Sequence, residues 1–179
     1  SSAASDVYKR QIFWFFLMFC FYGCTISLDG PEQPVKYVDL EKFMGKWYVI
    51  AFTPTFVDEG AENGIETYRL GEDGNIEIEY TFSIDGEFES HLQTGIVQPD
   101  PSNAKWRLKY NWLLSFDYYL IVEIDPEYEY TVIGVPDRSY VWVMSREKKM
   151  DEKLLVEILT RLKERGYDME KIERMEFSS

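Results

Sequence analysis

The amino-acid sequence predicts an all-β domain, an eight-stranded antiparallel up-and-down β-barrel with one C-terminal α-helix packed outside. Three observations predict this fold: eight short apolar or alternating segments, turn-forming residues between them, and one long amphipathic pattern near the C-terminus. A chain of 179 residues is long enough for one domain with a substantial core. Eight meandering strands followed by one helix favour a closed barrel.

The eight predicted strands alternate with short connections. The connections at 71–74, 85–86, 99–103 and 136–137 contain glycine, aspartate, asparagine or proline, which are the residues that suit tight turns. The predicted strands lie at 46–52, 65–70, 75–82, 90–97, 105–112, 118–125, 128–135 and 140–145.

A helical pattern follows the last strand. Asp151 stands where its side chain can cap the first turn, and Gly166 stands where a helix commonly ends. The apolar positions between them repeat at helical spacing and comprise Leu154, Leu155, Ile158, Leu159 and Leu162. We expect this apolar face to cover the outside of the barrel.

The first 23 residues are typical of a leader with a signal peptide. Lys9 and Arg10 precede a continuous apolar run at 12–22, which is too short to cross about 30 Å of hydrocarbon at about 1.5 Å per residue. Residues 1–11 lack a pattern and do not begin with methionine, so we interpret them as extraneous to the fold.

The apolar run ends in Gly23-Cys24, which resembles the bacterial lipobox. A small residue directly before a cysteine at this place predicts that Cys24 is acylated. Residues 24–38, which include two prolines, are predicted to form a lipidated tether, and the folded domain is expected at 39–179.

The composition excludes several function classes. The chain has 32 acidic and 19 basic residues, a formal charge of -13 and no cluster of basic residues, so we expect no nucleic-acid partner. One histidine and two cysteines are too few for a closed zinc site, which needs about four ligands, and we expect neither a metal nor a cofactor. The motifs of serine hydrolases, zinc proteases and phosphate-binding loops are absent, which predicts a protein without an enzymatic step.

Alternation assigns many rings to the inside of the barrel. In the third segment Tyr80 and Phe82 share one face, whereas Glu77 and Glu79 share the other. Large inward rings can either fill the interior or surround an apolar ligand, and the sequence leaves both open. The candidate ligand contacts are Tyr68, Tyr80, Phe82, His91, Trp112, Tyr119 and Trp142.

Three motifs in order carry a resemblance to a known family. Gly45 and Trp47 form a Gly-x-Trp motif at the first strand, Asp137 and Tyr140 belong to the turn before the eighth strand, and Arg146 follows that strand. The chain therefore resembles the lipocalin family over residues 35–177, and most of all its bacterial outer-membrane and apolipoprotein D branch. The resemblance implies that Arg146 lies across the Trp47 indole at the closed end of the barrel.

The resemblance also implies a function, namely the binding, storage or transport of fatty acids and lysophospholipids. A protein of this branch would be an outer-membrane lipoprotein held through Cys24, would face the periplasm, and could form a homodimer. Two alternatives stay open: an enzyme that modifies a lipid or an isoprenoid in the same cavity, and a structural envelope protein with a filled barrel. His91 could be a polar anchor in the cavity or, less favoured, the axial ligand of a haem.

Overall fold

In the computed structural model, eight antiparallel strands close into a barrel. The structure describes residues 30–110 and 115–178, and at 115–117 it describes the backbone alone. The strands are β1 Gly45–Phe52, β2 Glu62–Leu70, β3 Ile76–Ile84, β4 Glu87–Val97, β5 Lys105–Lys109, β6 Ser115–Ile124, β7 Tyr130–Gly134 and β8 Val141–Ser145. Each strand pairs with its successor, and β1 also pairs with β8. The predicted eight-stranded up-and-down barrel is confirmed.

Three strands extend further toward one end of the barrel than the sequence predicted. Strands β2, β4 and β6 each begin three residues earlier than expected, at Glu62, Glu87 and Ser115. The turn between β3 and β4 consists of Asp85 and Gly86, both in the left-handed region at φ 51° and 80°. This is the geometry of a two-residue hairpin turn, and it pairs Ile84 with Glu87, so the ladder continues to the turn through polar residues.

The C-terminal helix packs on the outside of the barrel, as predicted. This helix, which follows a short first helix and is called α2, spans Glu152–Glu164, and the Asp151 carboxylate accepts a hydrogen bond from the backbone amide of Leu154. Leu155, Ile158 and Leu162 are buried, because they cover apolar side chains on the outer faces of β1, β6, β7 and β8. The barrel therefore has an inner core and a second, outer core beneath α2.

A bulge in β1 serves both cores. The pairing between β1 and β8 shifts between Val49 and Ala51. Because of this shift, the consecutive residues Ile50 and Ala51 both pack with the outer core, while Val49 and Phe52 pack inside the barrel.

The short helix α1, Leu40–Phe43, closes one end of the barrel, and the sequence did not predict it. Asp39 caps it by accepting hydrogen bonds from the amides of Glu41 and Lys42. Phe43 is fully buried, and its carbonyl oxygen accepts a 2.8 Å hydrogen bond from the Trp47 indole. The helix therefore forms the floor beneath the inner core.

The C-terminal segment fills a gap between β1 and β2. The two-residue strand β9, Glu173–Arg174, pairs with Ala51 and Phe52, and it follows a 3-10 helix at Met169–Lys171. Further on, Glu176 bridges to Glu62 in a parallel sense. The end of the chain thereby pairs with backbone groups that β1 and β2 leave open where they separate.

Residues 31–38, at the end of the segment predicted as a tether, lie against the barrel. Backbone hydrogen bonds join Glu32 to Pro136 and Val35 to Ile121, both at 2.8 Å. The buried Glu32 carboxylate lies 2.8 Å from a guanidinium nitrogen of Arg165 and 3.5 Å from Nε of Arg138. These contacts fix the place where the chain enters the domain. The leader and Cys24 lie outside the described residues.

Candidate functional site

A cavity lies inside the barrel, above a floor of aromatic rings. Three of its lining residues lie side by side on neighbouring strands, because Tyr80 on β3 is paired with Glu66 on β2 and with His91 on β4. The volume open to the centre of a water molecule is about 30 Å³. The lining residues are Thr55, Val57, Asp58, Glu66, Tyr80, His91, Gln93, Leu108, Tyr110, Tyr119 and Trp142.

The residues predicted to contact a ligand separate into three groups. Four of them line the cavity: Tyr80, His91, Tyr119 and Trp142. Two are buried in the surrounding core: the Phe82 ring stacks on His91 with 5.3 Å between ring centroids, and Tyr68 packs edge-on against Phe43 and Trp106. Trp112 lies outside the described residues.

A buried carboxylate lies at the bottom of the cavity. Glu66 is 6% exposed, and its Oε2 accepts hydrogen bonds from the hydroxyl groups of Tyr68 and Tyr119, the second at 3.3 Å. The two tyrosine hydroxyls also contact each other. Strands β2 and β6 therefore meet through a polar network inside an otherwise aromatic core.

The network holds Glu66 close to its protonation midpoint at neutral pH. Burial and, to a smaller extent, the nearby carboxylate of Asp58 raise the pKa of Glu66, the hydrogen bonds from Tyr68 and Tyr119 lower it, and the result is a pKa of about 7. Burial also raises the pKa of the Tyr68 and Tyr119 hydroxyls well above the ordinary value. Both tyrosines are therefore neutral hydrogen-bond donors at physiological pH.

The loop between β1 and β2 turns a second carboxylate into the barrel. Asp58 is 2% exposed and accepts a 3.2 Å hydrogen bond from the Tyr80 hydroxyl. Its other oxygen accepts hydrogen bonds from the amide and the hydroxyl of Thr55, at 2.7 and 2.6 Å. Asp58 therefore holds the loop across the cavity as well as contributing to its lining.

Gln93 adds a polar group without a partner. It lies on β4, two residues after His91, and is 8% exposed. Its side-chain amide lines the cavity and makes no hydrogen bond to the described part of the chain.

The other end of the barrel is sealed by Trp47 and Arg146, which belong to two of the three motifs. The turn that contains Asp137 lies at the opposite end, where β1 and β8 pair through Phe52 and Trp142. The guanidinium carbon of Arg146 lies 3.6 Å from the centroid of the Trp47 ring. Arg146 also donates hydrogen bonds to five backbone carbonyls, those of Lys42, Phe43, Met44, Lys46 and Tyr128, at 2.7 to 3.2 Å. A single side chain thus joins α1, the start of β1 and the turn before β7.

The remaining motif residues shape turns. Gly45 has a φ of 99°, a conformation that glycine adopts without strain. Asp137 accepts hydrogen bonds from the amide and the hydroxyl of Ser139, at 3.0 and 2.6 Å, and Tyr140 stacks on Trp142 with 6.2 Å between centroids. These hydrogen bonds stabilise the turn between β7 and β8.

A family model described as a lipocalin-like domain matches residues 38–176. The chain belongs to the lipocalin family. Lipocalins generally bind or transport hydrophobic ligands, and they are generally not enzymes. The resemblance identified from the Gly-x-Trp motif, the turn and Arg146 is therefore confirmed.

Relatives of this lipocalin occur in plants, bacteria and animals. Temperature-induced lipocalin-1 of Arabidopsis thaliana is 30% identical over 154 residues, which are 79% of this chain and 81% of that protein. Outer membrane lipoprotein Blc of Vibrio cholerae is 26% identical over 157 residues, 83% of this chain and 92% of the relative. Apolipoprotein D of Bos taurus is 25% identical over 151 residues, 79% of each chain.

Solved structures show the same fold. Insecticyanin from the tobacco hornworm Manduca sexta has a TM-score of 0.67 with this lipocalin at 17% sequence identity, over 82% of this chain and 85% of that one.

Two further observations concern the described residues. No helix there is long and apolar enough to cross a membrane. In the same residues, no three His, Cys, Asp or Glu side chains converge as a metal site would require.

Sequence reasoning missed the polar part of this lipocalin's cavity, although part of the signal was present. Glu66 has the same parity as Tyr68, and Gln93 has the same parity as His91, so alternation alone places both on the inner face. They were passed over because polar residues in a strand are ordinarily assigned to the solvated face. Asp58 lies in a loop, where no periodic pattern exists to find it.

Proposed function

We propose that this lipocalin binds single-chain lipids in the cavity and stores or carries them, without a chemical step, and that fatty acids and lysophospholipids are among them. The observation that carries the proposal is a barrel sealed at one end by Arg146 and α1, with a cavity at the other end that is lined by rings and a few polar groups. Cavities of this kind suit ligands with an apolar chain and one polar head.

The apolar chain supplies most of the binding free energy. Each buried methylene contributes about 0.8 kcal/mol, so about a dozen methylenes contribute roughly 10 kcal/mol before the costs of association are subtracted. A single hydrogen bond contributes about 1 kcal/mol net. We therefore expect broad selectivity for chain shape and a smaller dependence on the head group.

A long chain enters only if the protein rearranges. The cavity volume of about 30 Å³ holds one or two water molecules, whereas pockets for ligands of this size measure roughly 300–1,000 Å³. We propose that the loop between β1 and β2 moves, because two of the three hydrogen bonds to the Asp58 carboxylate come from Thr55 within the loop, and the third, from Tyr80, joins it to a strand. Its displacement would open the cavity toward Val57.

Titration of the delipidated protein with a fluorescent long-chain fatty acid tests binding. We expect saturable quenching of tryptophan fluorescence at micromolar ligand, because Trp142 lines the cavity and Trp106 stacks on the cavity residue Tyr119. Absence of a saturable signal from a folded protein would reject the proposal. It would favour the alternative of a structural protein with a filled barrel, which the small cavity volume also supports.

The second part of the proposal is the anchor. We propose export and acylation at Cys24, outer-membrane attachment facing the periplasm, and possible assembly as a homodimer. Support comes from the lipobox-like Gly23-Cys24 and from relatives named outer membrane lipoprotein in Vibrio cholerae and Escherichia coli. Replacing Cys24 by serine should move the protein from the membrane to the soluble fraction. Unchanged sedimentation would reject acylation there, and size-exclusion chromatography measures the oligomeric state.

A further inference from the structure

The cavity contains two polar groups that the described part of the chain leaves without a hydrogen bond. Both phenol hydrogen bonds to Glu66 reach Oε2, so Oε1 has no hydrogen bond from the described part of the chain. The Gln93 amide, more than nine-tenths buried, likewise has no partner there and faces the same cavity. Both groups face the cavity, so a bound molecule with suitable polar groups gains about 1 kcal/mol net from each hydrogen bond that it makes to them.

The charge of the lining identifies the chemistry of that partner. Glu66 and Asp58 are both acidic and nearly completely buried, and the lining residues within the described chain include no lysine or arginine. His91 is the one lining residue that can carry a positive charge, and its Nε2 lies 3.8 Å from the exposed Glu89 carboxylate. A carboxylate head placed at this level would be a third anion, and although it could accept a hydrogen bond from the Gln93 amide nitrogen, it would offer no donor to Glu66.

We propose that the cavity selects single-chain amphiphiles whose buried head is a protonated amine, with the ammonium group donating to Glu66 and to the Gln93 amide oxygen. An ammonium group has three donors and no acceptor, which suits the Oε1 atom of Glu66 and the amide oxygen of Gln93. The apolar chain would lie along Leu108, Val57 and Trp142 toward the loop between β1 and β2. The inference rests on the proposed lipid-binding function and adds a preference for one class of head group.

Three ligands of equal chain length test the selection: dodecylamine, dodecanol and dodecanoate. Each is titrated at pH 8 below the concentration at which it forms micelles or separates from water, while tryptophan fluorescence is followed. At this pH the amine is protonated, since alkylammonium groups lose their proton at a pKa of about 10.4. We expect dodecylamine to bind at least tenfold more tightly than dodecanol, and dodecanoate to bind more weakly than dodecanol.

Two variants test whether Glu66 causes the preference for an amine. Glu66→Gln keeps the shape of the side chain and removes its charge, so dodecylamine affinity should fall at least tenfold while dodecanol affinity stays within about twofold. The matched control is Glu77→Gln, which makes the same change of charge at an exposed position on the outer face of β3. It should leave all three affinities unchanged. Circular dichroism verifies that both variants are folded.

The outcomes separate this inference from the function on which it rests. If none of the three ligands binds to the folded wild-type protein, the proposed function itself is rejected. If dodecanol binds but dodecylamine binds no more tightly, or if dodecanoate binds best, lipid binding stands and amine selection is overturned. This comparison uses the wild-type protein alone, so it tests amine selection even if Glu66→Gln fails to fold. Equal loss of amine binding in Glu66→Gln and Glu77→Gln would assign the effect to net charge and would also overturn the inference.

Discussion

Replacing Glu66 by glutamine should remove a pH-dependent part of the folding free energy of this lipocalin. The wild-type carboxyl is buried between Tyr68 and Tyr119, and burial raises its pKa from the ordinary value of 4.5 to about 7. In the unfolded chain the same group is solvated and loses its proton at the ordinary pKa. Between pH 4.5 and about 7 the native state therefore retains a proton that the unfolded state has released.

The sign follows from this difference in bound protons. The native state binds more protons than the unfolded state in that window, so wild-type stability falls as the pH rises through it and levels off above about pH 7. One pKa unit corresponds to about 1.4 kcal/mol. The difference between 4.5 and about 7 therefore destabilises the wild-type protein by about 3 kcal/mol at pH 8 relative to pH 4. Glutamine does not titrate and keeps an oxygen that accepts the tyrosine hydrogen bonds.

The measurement is urea unfolding of both proteins at several pH values between 4 and 8, followed by tryptophan fluorescence. We expect nearly equal free energies of unfolding at pH 4, and a Glu66→Gln variant that is more stable by about 3 kcal/mol at pH 8. Comparing the two proteins at each pH cancels the titration of all other groups. Glu77→Gln, at an exposed position, should stay within about 0.5 kcal/mol of wild type throughout.

Two results would refute the reasoning. A difference between wild type and Glu66→Gln that does not vary with pH would show that Glu66 titrates normally in the native state. A variant less stable than wild type at pH 8 would show that the charged carboxylate is stabilised by its two tyrosines by more than burial costs.

Three further predictions concern the frame around the cavity. Arg146→Lys should lower the free energy of unfolding by about 2–3 kcal/mol, because an ammonium group cannot reach the five carbonyls that the guanidinium joins. A loss below about 0.5 kcal/mol in chemical denaturation would contradict this prediction. Glu32→Gln should lower the free energy of unfolding by about 2 kcal/mol and speed tryptic cleavage at the exposed Lys36, because Arg138 and Arg165 then lose their shared anion. Unchanged cleavage would show that these ion pairs do not hold residues 31–38 against the barrel. Gly134→Ala should lower the free energy of unfolding by about 1–3 kcal/mol, because the added methyl group would overlap the Tyr167 hydroxyl. Adding Tyr167→Phe to the same chain should restore part of this stability in thermal unfolding, and no rescue would mean that the strain lies elsewhere.

The strands and the long helix were predictable because their signals are local. Alternation over five to eleven residues marks a strand with one buried face, and Asp85-Gly86 sets the register of its hairpin. Asp151 and Gly166 were recognised as helix ends for the same reason, since a cap acts within one turn. By contrast, the four-residue helix α1 and the two-residue strand β9 are too short to show a period, and they are stabilised by the contacts they make with distant parts of the chain.

By itself, the sequence determined the order of the eight strands, the caps of the long helix and the face on which each strand residue lies, including the shared parity of Glu66 and Tyr68. Only the tertiary structure decided that Glu66 on β2 meets Tyr119 on β6 and lies near Asp58 from a loop, because parity assigns a face but not a neighbour across the barrel. The raised pKa of Glu66 depends on the closed barrel as well. Burial is the largest cause of this shift, and the packing that buries the carboxyl comes from strands and loops far apart in the chain.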